Sequence, residues 1–135
     1  MSSPLTVLIV DDYPDALEVW ALFLRAEGFE VLTAANGHEA LAHAVRAVPD
    51  IVVMDIQLPG LSGLEVAREL RSSAPTRHIP LIAATGLSHS TQIEEARRAG
   101  FDAVIVKPCN PDVLIAEIRR LLDESGRKPT PDNRS

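Results

Sequence analysis

The sequence predicts a three-layer α/β domain: a mostly parallel five-stranded sheet, right-handed crossovers, and helices on both faces. Three observations predict it. Four short runs rich in Val, Ile and Leu are apolar throughout, as strands covered on both faces must be. Segments with helical periodicity, each with its own start or stop signal, alternate with these runs. The polar residues that remain gather where the strands end.

Taken in chain order, "TVLIV" (6–10) is the first strand. "PDALEVWALFLRAEG" follows as a helix, with Pro14 suited to a first turn and Gly28 to a C-terminal cap. Trp20 sits with Leu17, Phe23 and Leu24 on this helix and reads as core. "EVLTA" (30–34) mixes Glu30 and Thr33 with Val31 and Leu32, the pattern of an edge strand. The second helix spans 38–47 and stops before Pro49. "IVVM" (51–54) is the third strand, 64–73 the third helix and "LIAA" (81–84) the fourth strand. A helix over 90–99 ends at Gly100, with only Ile93 and small alanines as apolar anchors, so weak anchoring is expected there. "AVIV" (103–106) is the fifth strand. The last helix, 111–123, has Asn110 as cap and Pro111 in its first turn, with Leu114, Ile118 and Leu121 as its inward stripe. One domain over 4–123 results, and 124–135, polar and carrying Gly and Pro, reads as a disordered tail or linker stub.

Composition narrows the function classes. The 135 residues are 46% hydrophobic and 24% charged, and no apolar run approaches the roughly 18–20 residues that span a bilayer. "MSSPLTVLIV" lacks a basic segment and a small-residue cleavage pattern, so a secretory leader is not expected and a cytoplasmic location is. One cysteine, Cys109, allows no internal disulfide and no thiolate metal site alone; a small, buried or half-buried residue is the simplest reading. A net charge of −6 argues against direct binding of nucleic acid and favours a cation instead. His38, His43, His78 and His89 show no metal-ligand spacing and read as surface residues, as do Arg119 and Arg120.

The strand ends carry the chemistry. Asp11 and Asp12 follow the first strand, Asp55 the third, Thr85 the fourth and Lys107 the fifth. In an open parallel sheet these carboxyl ends share one edge, where ligands bind beside the topological switch point. Three converging carboxylates repel unless a cation sits among them, and a divalent metal and Lys107 are the two compensators available. An all-oxygen site with room for water favours Mg²⁺. Each residue alone has a plain reading as a turn former or helix cap. Four strand ends bearing such groups together do not.

"VDD" at 10–12, "MDIQLPGLSG" at 54–63, "ATG" at 84–86 and "KP" at 107–108 together resemble the response-regulator receiver domain of two-component signalling, a CheY-like fold. The resemblance covers about residues 4–123. It implies a doubly wound (βα)₅ domain with flavodoxin-like strand order 2-1-3-4-5. It implies Asp55 as phosphoacceptor, Asp12 and Asp55 binding Mg²⁺ directly with the backbone carbonyl of Gln57, and Asp11 assisting through water. Lys107 would contact the phosphoryl group, Thr85 would be the switch hydroxyl, and the Lys107–Pro108 bond would be cis. The partner implied is a histidine kinase or histidine phosphotransfer protein; the domain would phosphorylate and dephosphorylate itself rather than turn over a substrate. One position departs from the pattern: Val104 stands where the fifth strand usually has Tyr or Phe. Switching is then expected to rest on Thr85 and the fourth helix, with the fourth-helix, fifth-strand and fifth-helix face as output and possible homodimer surface. Gln57 and Leu87 are expected to tune phosphoryl lifetime.

Three other readings fit the residues less well. A pseudo-receiver that binds partners without phosphoryl transfer would usually have lost one of Asp11, Asp12, Asp55, Thr85 or Lys107, and none is lost. A small Rossmann-like phosphatase generally needs an aspartate where Gln57 stands. A flavodoxin-like flavin binder would want a hydroxyl-rich phosphate loop where "DDYPD" would repel phosphate. A stand-alone regulator, the receiver of a larger regulator and a hybrid-kinase receiver all remain open.

Overall fold

The computed structural model describes residues 4–86 and 90–126. Strands and helices alternate along the described chain: β1 (Thr6–Val10), α1 (Pro14–Ala26), β2 (Glu30–Ala34), α2 (Gly37–Ala47), β3 (Ile51–Asp55), α3 (Gly63–Ser72), β4 (Leu81–Thr85), α4 (Ser90–Ala99), β5 (Ala103–Val106) and α5 (Pro111–Glu124). The sheet is parallel in every pairing, in the order β2-β1-β3-β4-β5. β2 is an edge strand, as its mixed composition predicts. The other edge is β5, whose Val106 is exposed.

Alternation along each strand divides the core in two. Leu8, Val10, Val52, Met54, Leu81 and Ala83 point to one face and meet α2, α3 and α4 through Ala40, Ala44, Val66, Ala67, Leu70, Ala96 and Ala99. Val7, Ile9, Ile51, Val53 and Ile82 point to the other and meet α1 and α5 through Leu24, Leu114, Ile115, Ile118, Leu121 and Leu122. β3 and β4 each run one residue beyond their apolar stretches. Asp55 still pairs with Ala84 and Thr85 with Val106, so both residues end regular ladders and are held by them.

The helix signals read at Pro14, Asn110 and Pro111 act as expected, and Asn36 and a Ser62–Glu65 pair add two more. Asn36 and Asn110 cap α2 and α5 with their side chains, Pro14 and Pro111 open α1 and α5, and Ser62 with Glu65 forms a capping box on α3. Gly28 takes φ +96 after α1, a value that costs glycine nothing. One core assignment fails: Phe23 is 41% exposed. Leu17, Trp20 and Leu24 follow the i, i+3, i+7 line that faces the sheet, whereas Phe23 is six residues from Leu17 and lies off that line. Trp20 and Leu17 are half-buried against the α1/α5 core. Cys109 and His43 are half-buried, and His38 and His78 are exposed. His89 and Leu87 lie outside the described residues.

The amino ends of the strands are tied down by aspartates. Asp50, just before β3, accepts the Thr6 amide at the start of β1 (2.8 Å). Asp102, just before β5, accepts the Leu81 amide at the start of β4 (2.8 Å). Arg71 closes the same edge: Nε and one terminal nitrogen reach the Gly100 carbonyl, that same terminal nitrogen also meets Asp102, and the other reaches the carbonyls of Arg77 and Ile79. α5 extends to Glu124, one residue into the expected tail; beyond Gly126 that tail lies outside the described residues. Among the described residues no helix is long and apolar enough to cross a membrane.

Candidate functional site

At the carboxyl edge the fold brings Asp11, Asp12, Asp55, Thr85 and Lys107 to the ends of β1, β3, β4 and β5. β1 lies between β2 and β3, so the chain leaves it in opposite directions and a crevice opens beside it. Asp11 is buried, Asp55 half-buried and Asp12 exposed, a gradient from sheet interior to mouth. One carboxylate oxygen from each lies within 4.8 Å of the others, close enough for a single ion to bridge.

Two of the three carboxylates are fixed from both sides. Lys107 Nζ donates to Asp11 Oδ2 (2.9 Å) and to Asp55 Oδ2 (3.1 Å). The opposite oxygens accept backbone amides two residues downstream: Tyr13 N–H to Asp11 Oδ1 (3.0 Å) and Gln57 N–H to Asp55 Oδ1 (3.1 Å). These short loops close on the carboxylate that precedes them, which sets each side chain's rotamer. The Lys107 amide in turn donates to the Thr85 carbonyl (2.7 Å), so the lysine is carried on the β4–β5 ladder. Thr85 is only 1% exposed. The Lys107–Pro108 peptide bond is cis, as the resemblance implies.

Electrostatics follow from that geometry. Burial opposes the charge on Lys107, but its hydrogen bonds to Asp11 and Asp55, with their negative charge, outweigh burial and raise its pKa above the usual 10.5. Its contribution to stability is therefore complete below the unfolded-state pKa and is lost only as pH rises through the higher folded value. Burial also pushes the Cys109 thiol up, against the opposing charge of Lys107. A neutral thiol, not a reactive thiolate, sits beside the site at neutral pH.

Two glycines that the sequence reading did not single out shape the β3–α3 loop. A Cβ on Gly63 would lie 2.4 Å from the Asp55 carbonyl oxygen, and one on Gly37 would lie 2.1 Å from that of Leu61. Neither site accepts a side chain without moving backbone. α3 can thus begin directly against Asp55, with the Gly63 amide on the Ile56 carbonyl (2.9 Å). Each glycine opens a helix immediately after its cap, a signal visible in "ANG" and "LSG".

An oxygen-only cluster with one lysine suits a hard divalent cation and lacks the soft ligands of zinc or copper sites. The residues present therefore fit such an ion. Chemically, the arrangement presents a fixed carboxylate beside a fixed ammonium at an open mouth, with charge to spare for a cation.

Comparison with known proteins agrees with this geometry. The sequence matches the response regulator receiver domain over residues 7–119. It is 37% identical over 122 residues to the polar-differentiation response regulator DivK of Brucella anthropi, covering 90% of this chain and 99% of that protein. It is also 37% identical over 123 residues to the probable transcriptional regulatory protein TcrX of Mycobacterium tuberculosis, covering 91% of this chain but only 52% of that protein, so it spans about half of that relative. Among solved structures, the receiver domain of the sensor histidine kinase PA1611 from Pseudomonas aeruginosa superposes with a TM-score of 0.79 at 31% identity, over 92% of this chain and 99% of that one. That structure has a magnesium ion coordinated in its active-site cleft. On sequence, strand order and the residues at the crevice, this chain belongs to the response regulator receiver domain family.

Proposed function

We propose that this chain is a phosphoacceptor: Asp55 takes a phosphoryl group, with Mg²⁺, from a histidine kinase or histidine phosphotransfer protein. The observation that carries the reading is the Lys107 ammonium held on both Asp11 and Asp55 at the mouth of a three-carboxylate cluster. A carboxylate oxygen of Asp55 attacks phosphorus, a P–O bond forms and the P–N bond of the donor phosphohistidine breaks. Little covalent work falls to the protein, so alignment and charge compensation dominate. Lys107 supplies a positive point charge to the transferred oxygens. Asp12, Asp55 and the Gln57 carbonyl would hold Mg²⁺, with Asp11 acting through water. When bound, the ion neutralises charge on the phosphoryl oxygens. The Thr85 hydroxyl then bonds the new phosphoryl group, and the face formed by α4, β5 and α5 changes its arrangement. Hydrolysis of the acyl phosphate resets the domain, which is a self-limiting switch rather than an enzyme. The unit is residues 4–123, placed in the cytoplasm, and the α4-β5-α5 face is its surface for any self-association.

Incubation with a small phosphodonor, with and without Mg²⁺, and prompt intact-mass measurement test this directly. A Mg²⁺-dependent gain of one phosphoryl group is expected in the wild type and none in Asp55→Ala. No gain, and no response to beryllofluoride, would favour a receiver that works by binding alone.

The donor must also dock, and α1 offers a surface beside the crevice. Val19, Leu22 and Phe23 are 50%, 69% and 41% exposed on one side of it, and Tyr13, next to Asp12, is 67% exposed. That stripe suits the apolar side of a partner helix bearing the phosphohistidine. Leu22→Arg is expected to slow transfer from the protein donor about tenfold or more, in line with loss of a buried apolar anchor. It should leave the rate with a small phosphodonor unchanged; an equal loss with both donors would disprove docking on α1.

A further inference from the structure

Among the described residues, one buried side-chain polar atom has no hydrogen-bond partner: Gln92 Oε1. Gln92 lies in α4, four and seven residues ahead of Ala96 and Ala99, so it shares their face. That face is buried, with Ala96 and Ala99 at 0% and 2% exposure in the core that also contains Val66, Leu70 and Phe101. An acyl oxygen sealed among apolar groups forgoes the hydrogen bond it would have in water, and the loss is not recovered elsewhere. The same helix has little to offset it, since its inward face otherwise offers two alanines and the half-buried Ile93.

We propose that Gln92 destabilises the present position of α4 and so narrows the gap to the arrangement selected by a phosphorylated Asp55. The coupling rests on the receiver reading above. Gln92 is a positioning residue: it is not one of the residues that form the carboxylate cluster or hold it, and it acts on the equilibrium between two placements of its helix. An apolar side chain of similar length should deepen the present state, and any ligand that selects the other must then overcome the difference.

The variants are Gln92→Met, which keeps the length and removes the acceptor, and Gln92→Leu as a second apolar replacement. Hydrogen exchange of α4 amides in the unmodified protein and titration with beryllofluoride in the presence of Mg²⁺ are the readouts. Both variants are expected to slow α4 exchange at least about fivefold, in line with relief of a buried unpaired acceptor. Both should weaken beryllofluoride binding by a similar factor and leave β1 and β3 amides unchanged. Unchanged α4 exchange would overturn the proposal. So would slower exchange with undiminished beryllofluoride binding, which would mark Gln92 as a local packing fault. A wild type that binds no beryllofluoride would instead sink the receiver reading and the coupling with it, whereas slower α4 exchange in the variants would still establish the load on the helix.

Discussion

Lys107→Ala is expected to slow phosphorylation of Asp55 by a small phosphodonor by about a hundredfold or more, the size of effect that follows loss of one preorganised donor to developing charge. The protein should also lose stability, because two charge-assisted hydrogen bonds vanish and Asp11, only 5% exposed, is left beside Asp55 without its ammonium. With Lys107 about a quarter exposed, solvent screening trims the loss to about 1–3 kcal/mol. Added Mg²⁺ should raise the unfolding midpoint of the variant more than that of the wild type, since a cation then replaces the missing charge. Lys107→Arg should recover little of the rate, because a planar guanidinium does not reproduce a point charge at the apex of two carboxylates. A rate within fivefold of wild type in Lys107→Ala would show that the lysine only holds the carboxylates in place.

The second large effect lies at the opposite edge of the sheet. Arg71→Ala is expected to cost about 2–4 kcal/mol and to lower the unfolding midpoint by roughly 8–15 °C, given the unpaired carbonyls it leaves and the size of the domain. The side chain is about a quarter exposed, yet it donates to the carbonyls of Gly100, Arg77 and Ile79 and to Asp102. Arg71→Lys should recover less than half of the loss, because one ammonium cannot span that fork. Gly100 belongs to the same device: it sits at φ +117, and a Cβ there would meet Arg71 Cγ at 2.6 Å. Phosphorylation with a small donor should survive Arg71→Ala below the melting range. Chemical denaturation of the three proteins measures the effect, and a loss under 1 kcal/mol would show that water replaces the guanidinium without penalty.

The fold was legible because its signals are local. Apolar runs, a capping Asn before α5 and a Pro in the first turn of α1 or α5 act over a few residues, and the strand order came with the resemblance to the receiver family. The crevice was legible for a related reason: Asp11, Asp55, Thr85 and Lys107 each end a strand, and a parallel sheet has only one carboxyl edge. What escaped notice depends on tertiary contact. Arg71 reads as one more charged residue on an amphipathic helix, and nothing near it in sequence announces Gly100, 29 residues away. Asp50 and Asp102 look like turn formers, which they are, but their acceptors serve neighbouring strands. Phe23 was grouped with Leu17, Trp20 and Leu24, when helical phase places it outward. Gln92 gave no signal, since glutamine is an ordinary helix residue until its oxygen is sealed.

The Arg71 contacts also set how α4 can travel. The Gly100 carbonyl it grips at 2.7 and 3.0 Å comes immediately after the last residue of α4. A rod secured at one end cannot slide along its axis; it can only swing. The other end is the one next in sequence to the β4 terminus, where Thr85 sits. Ten residues make a lever of about 15 Å, so a tilt of roughly 10° would carry its tip nearly 3 Å while the secured end barely moves. A change that begins at the crevice would thus displace the crevice end of the helix most and fade along its length, and the amino edge of the sheet would serve as the fulcrum.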